Sequence, residues 1–363
     1  MNARRQFAAI LAGLAALLLA PLARAEPYLA VQQGYKCEAC HVNPTGGGLR
    51  NDFGTLFTEN ALPQFSLPSS FPVWSGNLFK FLRVGADLRT GRSETAAPDT
   101  PTEKQSGLEQ LRAYADVSII PNRLEYYVDE SFAPGKAQPN EYYGRYSDPA
   151  HGWYLKAGQF YLPFGWRLQD NTAFVREVSG ISMTTPDRGF ELGLELPGWS
   201  AQVDYSRGQS NIALGTGHQI TGQVVWVKND WRVGTAASFT QSVFGNRQVE
   251  ALFAGLRTGP VAWLGEADLV RDAGFPEGTR TFAAALGEAD WALHKGHNLK
   301  LTAELFDPDR SIANDQQARW SLLYEYTPIP FVQLRAGFRR YRGIPQNDLD
   351  NRRMLFMELH VFL

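Results

Sequence analysis

From Asn77 onward, apolar and polar side chains alternate along the chain. In the first such run Leu78, Leu82, Val84, Ala86 and Leu88 share one face, and Phe79, Phe81, Arg83, Asp87 and Arg89 share the other. The same period of two returns in LRAYADVSI, RLEYYVDES, FELGLEL, SAQVDYS, LKLTAELF and ARWSLLYEY. Segments of roughly ten residues with this period, divided by turn residues, predict a transmembrane β-barrel, because lipid-facing and lumen-facing positions alternate along each strand. A soluble β-sandwich also alternates. It requires neither outward faces so uniformly apolar nor the rhythm of its connections.

That rhythm is one of short turns and long loops. Short turns fall at Pro121-Asn122, Pro197-Gly198, 228–230, 258–260, 294–296 and 327–330, and longer polar loops at 91–107, 133–151, 208–217, 272–279, 307–316 and 342–352. Short turns belong on the periplasmic side and long loops outside. Fifteen strands are legible, yet both barrel ends should be periplasmic, which requires an even number. By this count the strands at 152–160 and 188–196 both run downward, so an upward strand is expected between them, within 164–178 (WRLQDNTAFVREV). The expectation is an all-β fold: an antiparallel barrel of sixteen strands, with fourteen as the alternative, ending in the terminal strand MELHVFL.

Before Asn77 the pattern differs. Arg4 and Arg5, the apolar stretch Phe7–Leu22 and Ala23-Arg24-Ala25 read as a secretory signal peptide over 1–25, cleaved before Glu26. Residues 26–75 form a separate small segment and 76–363 the barrel. Within the segment Leu49, Phe53, Leu56 and Phe57 recur at helical spacing and predict one apolar helix face. About fifty residues are marginal for an independent core, so the segment is expected to complete its fold as a plug.

The chemistry sits in that segment. YKCEACHVNPTGGG contains both cysteines of the chain, as Cys37-x-x-Cys40-His41. Two thiols at this spacing can each add to a haem vinyl group, and the following histidine can serve as axial ligand to the iron. A zinc site would need two further ligands nearby, a thioredoxin-type pair a βαβ context, and a disulfide across two residues would be strained. Cys37, Cys40 and His41 are therefore the expected sites for one covalent haem c. Pro44 to Gly48 supplies a turn and bare backbone that allow close approach to a flat ligand.

Composition adds two exclusions. No later segment is long and apolar enough for a transmembrane helix. Removing 1–25 leaves 32 basic against 37 acidic residues, so nothing suggests a nucleic-acid partner.

Two resemblances follow from these residues. GQFYLPFG, Gly158 to Gly165, resembles the G-x-F-x-x-P-F-G element of phosphate-selective porins. The leader, with Ala25, Pro27, Gly34, Cys37, Cys40, His41, Phe53, Gly54 and Phe57, resembles that of the outer-membrane fused monohaem cytochrome c–porin family, which includes iron oxidases. The stretch 43–48 departs from the iron oxidases, and the barrel is short for that group. The resemblance implies a Gram-negative outer-membrane protein that passes electrons between an extracellular donor, ferrous iron among the candidates, and a periplasmic c-type cytochrome. In enzyme terms this is a ferrous-iron:cytochrome c oxidoreductase. The alternative is a substrate-selective porin whose haem segment is a plug without transmembrane electron transfer.

The segment offers no sixth iron ligand. Among the remaining histidines, alternation points His360 into the lumen near the periplasmic end, with Met354 further up the same face. His360 is expected either as that ligand or as a hydrogen-bonding residue inside the barrel. Alternation also puts twelve acids and eight bases in the lumen, an acidic lean that would gather cations.

Overall fold

The computed structural model describes residues 26–68, 70, 74–208 and 217–363. The expected signal peptide, 1–25, lies outside the described residues.

Seventeen strands alternate direction along the chain. They are β1 (Asn77–Phe79), β2 (Leu82–Ala96), β3 (Glu103–Ile120), β4 (Leu124–Ala133), β5 (Gln138–Asp148), β6 (Trp153–Phe160), β7 (Asp187–Leu196), β8 (Trp199–Ser206), β9 (Gly217–Lys228), β10 (Trp231–Ser242), β11 (Gly245–Thr258), β12 (Val261–Phe275), β13 (Gly278–His294), β14 (His297–Asp307), β15 (Gln317–Tyr326), β16 (Val332–Arg342) and β17 (Arg353–Phe362). β1 is a three-residue flap paired to β2. Strands β2 to β17 each pair antiparallel with their chain neighbours, and β17 closes on β2 with Val361 opposite Leu88 and His360 opposite Arg89. The result is a closed barrel of sixteen strands, which leaves no open sheet edge.

The expected strand count is met, but not by the expected strand. Residues 161–186 contain no strand. The segment missing from the sequence reading is β5, which had been placed inside a 133–151 loop. Its lumen face is Glu141, Tyr143 and Arg145, and its outer face is Tyr142, Gly144 and Tyr146, so only two apolar side chains mark it as a strand. With β5 in place, 149–152 becomes a short periplasmic turn and β6 runs upward. The expected loop 272–279 shrinks to the two-residue connection 276–277 at the outer end, and a second two-residue connection, 243–244, joins β10 to β11 there.

The outer surface carries the apolar side chains. Phe190, Leu252, Trp320 and Met357 are all more than 60% exposed, a density of bare hydrocarbon that only a lipid surround tolerates. Tryptophans ring the short-turn end: Trp199 stacks on Trp226 at 5.3 Å, and Trp226 meets Trp231 edge-on at 4.7 Å. Amphipathic rings at this height match a membrane–water interface. This is a membrane-spanning barrel of the outer-membrane type.

The lumen is filled by two insertions. One is the N-terminal segment, with helices α1 (Pro27–Gln33) and α2 (Asp52–Asn60). The other is the 161–186 connection, which folds inward and carries the short helix α3 (Phe174–Ser179). Trp166, Leu168, Phe174, Val175 and Val178 from this loop pack on lumen-facing Ala236, Val249, Ala251, Phe253, Leu264 and Leu286. The weak apolar signal read as a strand is therefore the buried face of an inward loop. Its charged anchors are Arg176 to Glu266, Phe174 N to Glu304 (2.8 Å), and Asp170 to Arg319 (2.9 Å) and Arg339 (2.7 Å).

Candidate functional site

The plug is fixed in the lumen by side chains of the barrel wall. Pro27 starts α1, and Gly34 ends it in the left-handed conformation (φ 68°). Arg232 donates to the carbonyls of Ala30 (2.8 Å) and Tyr35, and Arg257 to that of Gln32 (2.9 Å). Lys36 pairs with Glu195 at 2.7 Å, and Glu26 with Lys300 at 3.1 Å. Further along, Arg145 donates to Val42 O (2.7 Å), Tyr127 accepts from Leu49 N (3.1 Å), and Asn43 donates to Glu141 (3.2 Å). The amides of Gln64 and Phe65 then bond Thr327 O and Pro328 O at the periplasmic rim, both at 2.9 Å. The plug thus seats in the periplasmic part of the barrel and leaves across its edge.

Within the plug, Cys37 to Ala39 form one turn of 3₁₀ helix, which brings Cys40 back beside Cys37. His41 follows in a single antiparallel bridge with Arg50. Asn51 ties this turn to α2: its side-chain oxygen caps Gly54 N at 2.9 Å, while its amide donates to Glu38 O (2.9 Å) and Ala39 O (3.1 Å). Two glycines permit the close packing. A Cβ at Gly54 would lie 2.1 Å from Cys40 O, and one at Gly46, where φ is 90°, would meet the Cys37 side chain at 3.2 Å.

Cys37, Cys40 and His41 together line a cavity of about 100 Å³ that opens to solvent. Phe57 of α2, Trp166 and Arg167 of the inward loop, and Phe253 and Arg232 of the wall complete it. Both cysteines are free thiols. His41 is 4% exposed, and neither of its ring nitrogens has a hydrogen-bond partner, although the Gly48 and Leu49 carbonyls lie beside it. Burial holds His41 neutral, with a pKa pushed down to about 3, and the nearby Arg50 guanidinium acts in the same direction. Burial likewise raises both thiols, that of Cys40 to about 11. A buried imidazole without partners is costly unless something binds it, and the neutral ring is the form that ligates metal. Two thiols and such an imidazole on one cavity wall fit a c-type haem.

The predicted apolar helix face turns only in part towards the cavity. Leu49 precedes α2 and is buried against the barrel wall, while Phe53 and Leu56 turn outward, 44% and 51% exposed. Of the four, Phe57 reaches the cavity. The expected sixth ligand is not brought to the cavity either. His360 is fully buried in β17, where Nε2 lies 3.0 Å from Arg89 Nη2 and 3.4 Å from Asp87 Oδ2, and Nδ1 lies 3.2 Å from Gln333 Oε1. Its ring stacks on Phe362 at 5.0 Å, and neither it nor Met354 lines the cavity. Its surroundings give it the hydrogen-bonding role. A His360→Ala variant is therefore expected to keep the wild-type optical spectrum in the haem region while lowering the unfolding midpoint in denaturant. A change from low-spin to high-spin bands would return His360 to the iron.

The lumen acids counted from the sequence are largely paired. Asp129 meets Arg112, Glu191 meets Lys156 (2.7 Å), Glu304 meets Arg319, and Glu358 meets Arg89 (2.8 Å) and Arg335 (3.0 Å). This pairing removes most of the field that an acidic lean would exert on a cation. Sequence reasoning missed Trp166 and Arg167, which sit two and three residues past GQFYLPF in the inward loop and have no motif of their own, and Arg232 and Phe253, each one wall position among many.

No known family profile matches the chain, and no curated protein matches it in sequence. Solved structures do match in fold. An anion-selective porin from Comamonas acidovorans aligns with a TM-score of 0.61 at 11% identity, over 77% of this chain and 98% of that one. OmpF of Salmonella typhi, in complex with daunomycin, gives 0.59 at 10%, over 77% and 97%. The outer-membrane channel DcaP of Acinetobacter baumannii gives 0.58 at 11%, over 77% and 96%. Nearly the whole of each porin is matched, by a share of this chain close to that of its barrel.

Proposed function

We propose that this chain is an outer-membrane electron conduit, a porin-type barrel whose lumen holds one covalent haem c between an extracellular donor and a periplasmic c-type cytochrome. The observation that carries the reading is the convergence of Cys37, Cys40 and the partnerless His41 on one cavity inside the barrel. A bound haem would supply one-electron chemistry. The chain does the rest. Cys37 and Cys40 hold the group by thioether bonds, and His41 offers a ring nitrogen to the iron. Trp166, Phe57 and Phe253 give the cavity an apolar wall. The lipid-facing barrel insulates a site that could not otherwise bridge an apolar layer ~30 Å thick. Ferrous iron remains the proposed donor by resemblance, and the paired lumen acids add little to that choice.

The comparisons favour a second reading, since the structural neighbours are porins and channels: a substrate-selective porin in which the haem segment is only a plug. Planar bilayers separate the two. With plug and inward loop both in the lumen, the unmodified protein is expected to conduct at least about tenfold less than an open sixteen-stranded porin measured alongside it. Porin-sized current steps would favour the second reading.

A further inference from the structure

Two arginines of the cavity wall differ from the other lumen cations. Arg112, Arg176, Arg319 and Arg335 each meet a carboxylate. Arg232 is 4% exposed, and all its hydrogen bonds run from Nη2 to the carbonyls of Ala30 and Tyr35. Arg167 likewise uses Nη2, towards Thr45 Oγ1 (2.5 Å) and Tyr161 O (2.9 Å). Among the described residues neither forms an ion pair with a carboxylate, although the charge of Arg167 is felt by the more distant Glu141, and Nε and Nη1 of both have no acceptor. The one carboxylate that lines the cavity, Glu26, is already paired with Lys300. Arg232 is buried and Arg167 half-buried, and a guanidinium withdrawn from water without a counter-ion is disfavoured, so the two on one cavity call for a ligand with anionic oxygens. The rigid fork of arginine donors matches a carboxylate.

We infer that Arg167 and Arg232 are the carboxylate-binding residues of the cavity and hold the propionate groups of the haem attached at Cys37 and Cys40. The inference rests on the haem reading above and adds to it the recognition of the cofactor's charged edge. Arg232 stacks over Trp166 at 5.6 Å and Arg167 over Tyr161 at 5.5 Å, so both guanidiniums are held in place before a ligand arrives. Because Arg167 belongs to the inward loop and Arg232 to β10, the ligand would also bind loop, wall and plug together. Free anions such as phosphate share this chemistry, and the test separates the two sources.

The experiment uses full-length protein and the variants Arg167→Gln, Arg232→Gln and Arg232→Lys. Haem staining on a denaturing gel comes first, because its absence from the wild type would overturn the haem reading itself, and this assignment with it. Heat-dependent gel mobility verifies folding, and if Arg232→Gln does not fold, Arg167→Gln carries the test. Folded glutamine variants should keep their covalent haem. Loss of positive charge favours the oxidised iron, so their reduction equilibrium against a reference dye should move about tenfold toward the oxidised form, ~59 mV for one electron. Arg232→Lys should recover most of the shift. Glutamine variants with the wild-type equilibrium would overturn the assignment. So would a shift in the wild-type equilibrium on adding inorganic phosphate, which would give the two arginines to a mobile anion.

Discussion

Purified protein in which Cys37 and Cys40 are both alanine is expected to carry no haem on a denaturing gel, while the wild type stains. The effect should be all or none, because the thioether bonds are the only covalent hold that this chain can offer: it contains no other cysteine. Barrel folding should survive. The wall closes through β17 and β2, and the plug is fixed by contacts that do not involve the thiols, among them Lys36 with Glu195 and Leu49 N with Tyr127. The variant should therefore still show heat-dependent mobility. The single variants separate the two bonds: each should retain one thioether and stain more weakly. Wild-type protein whose haem is extracted by acid and organic solvent would contradict covalent attachment.

Much of the barrel was legible because a lipid-facing strand must alternate. Where that rule held on both faces, as in β7 and β14, even the direction of each side chain could be read. It failed at β5, whose outer face offers only Tyr142 and Tyr146, and whose lumen face is Glu141, Tyr143 and Arg145. Such a strand looks like a polar loop. The opposite error came at 161–186. The even strand count demanded one more strand, and with β5 unseen it was placed within 164–178. In the structure part of the wall is itself apolar, through Val249, Phe253, Leu264 and Leu286, and the loop buries Phe174 and Val175 against it. Pairing between distant segments was not visible in the period of either one.

The candidate site divides in the same way. Cys37, Cys40 and His41 could be named because their chemistry demands fixed spacing along the chain. Phe57, Trp166, Arg167, Arg232 and Phe253 come from four separate parts of the chain, and only the fold assembles them. For His360, alternation put the side chain in the lumen correctly. It could not reveal that Arg89, Gln333 and Asp87 surround the imidazole.

The second large effect concerns electron flow. Diffusion through the barrel is opposed by two insertions that fill its lumen, the plug and the 161–186 loop with α3. Neither insertion opposes an electron, which needs a redox centre inside the insulating wall and partners at the two mouths. Cys37, Cys40 and His41 lie in the periplasmic part of the barrel, and Tyr35, Phe53 and Leu56 of the same segment are exposed nearby. A lone centre at this position suits transfer to a periplasmic carrier, and the donor must reach it from the outer side. Removing Cys37 and Cys40 should abolish the flow without opening a path for ions.

Reconstitution in liposomes tests this most directly, with a membrane-impermeant redox dye sealed inside and ferrous iron supplied outside. The account predicts that vesicles with wild-type protein reduce the internal dye, and that those with Cys37→Ala/Cys40→Ala protein do so no faster than protein-free vesicles. Equal rates with wild-type and double-variant protein, or no reduction by haem-loaded wild type, would contradict the conduit and leave the plugged porin as the function of this chain.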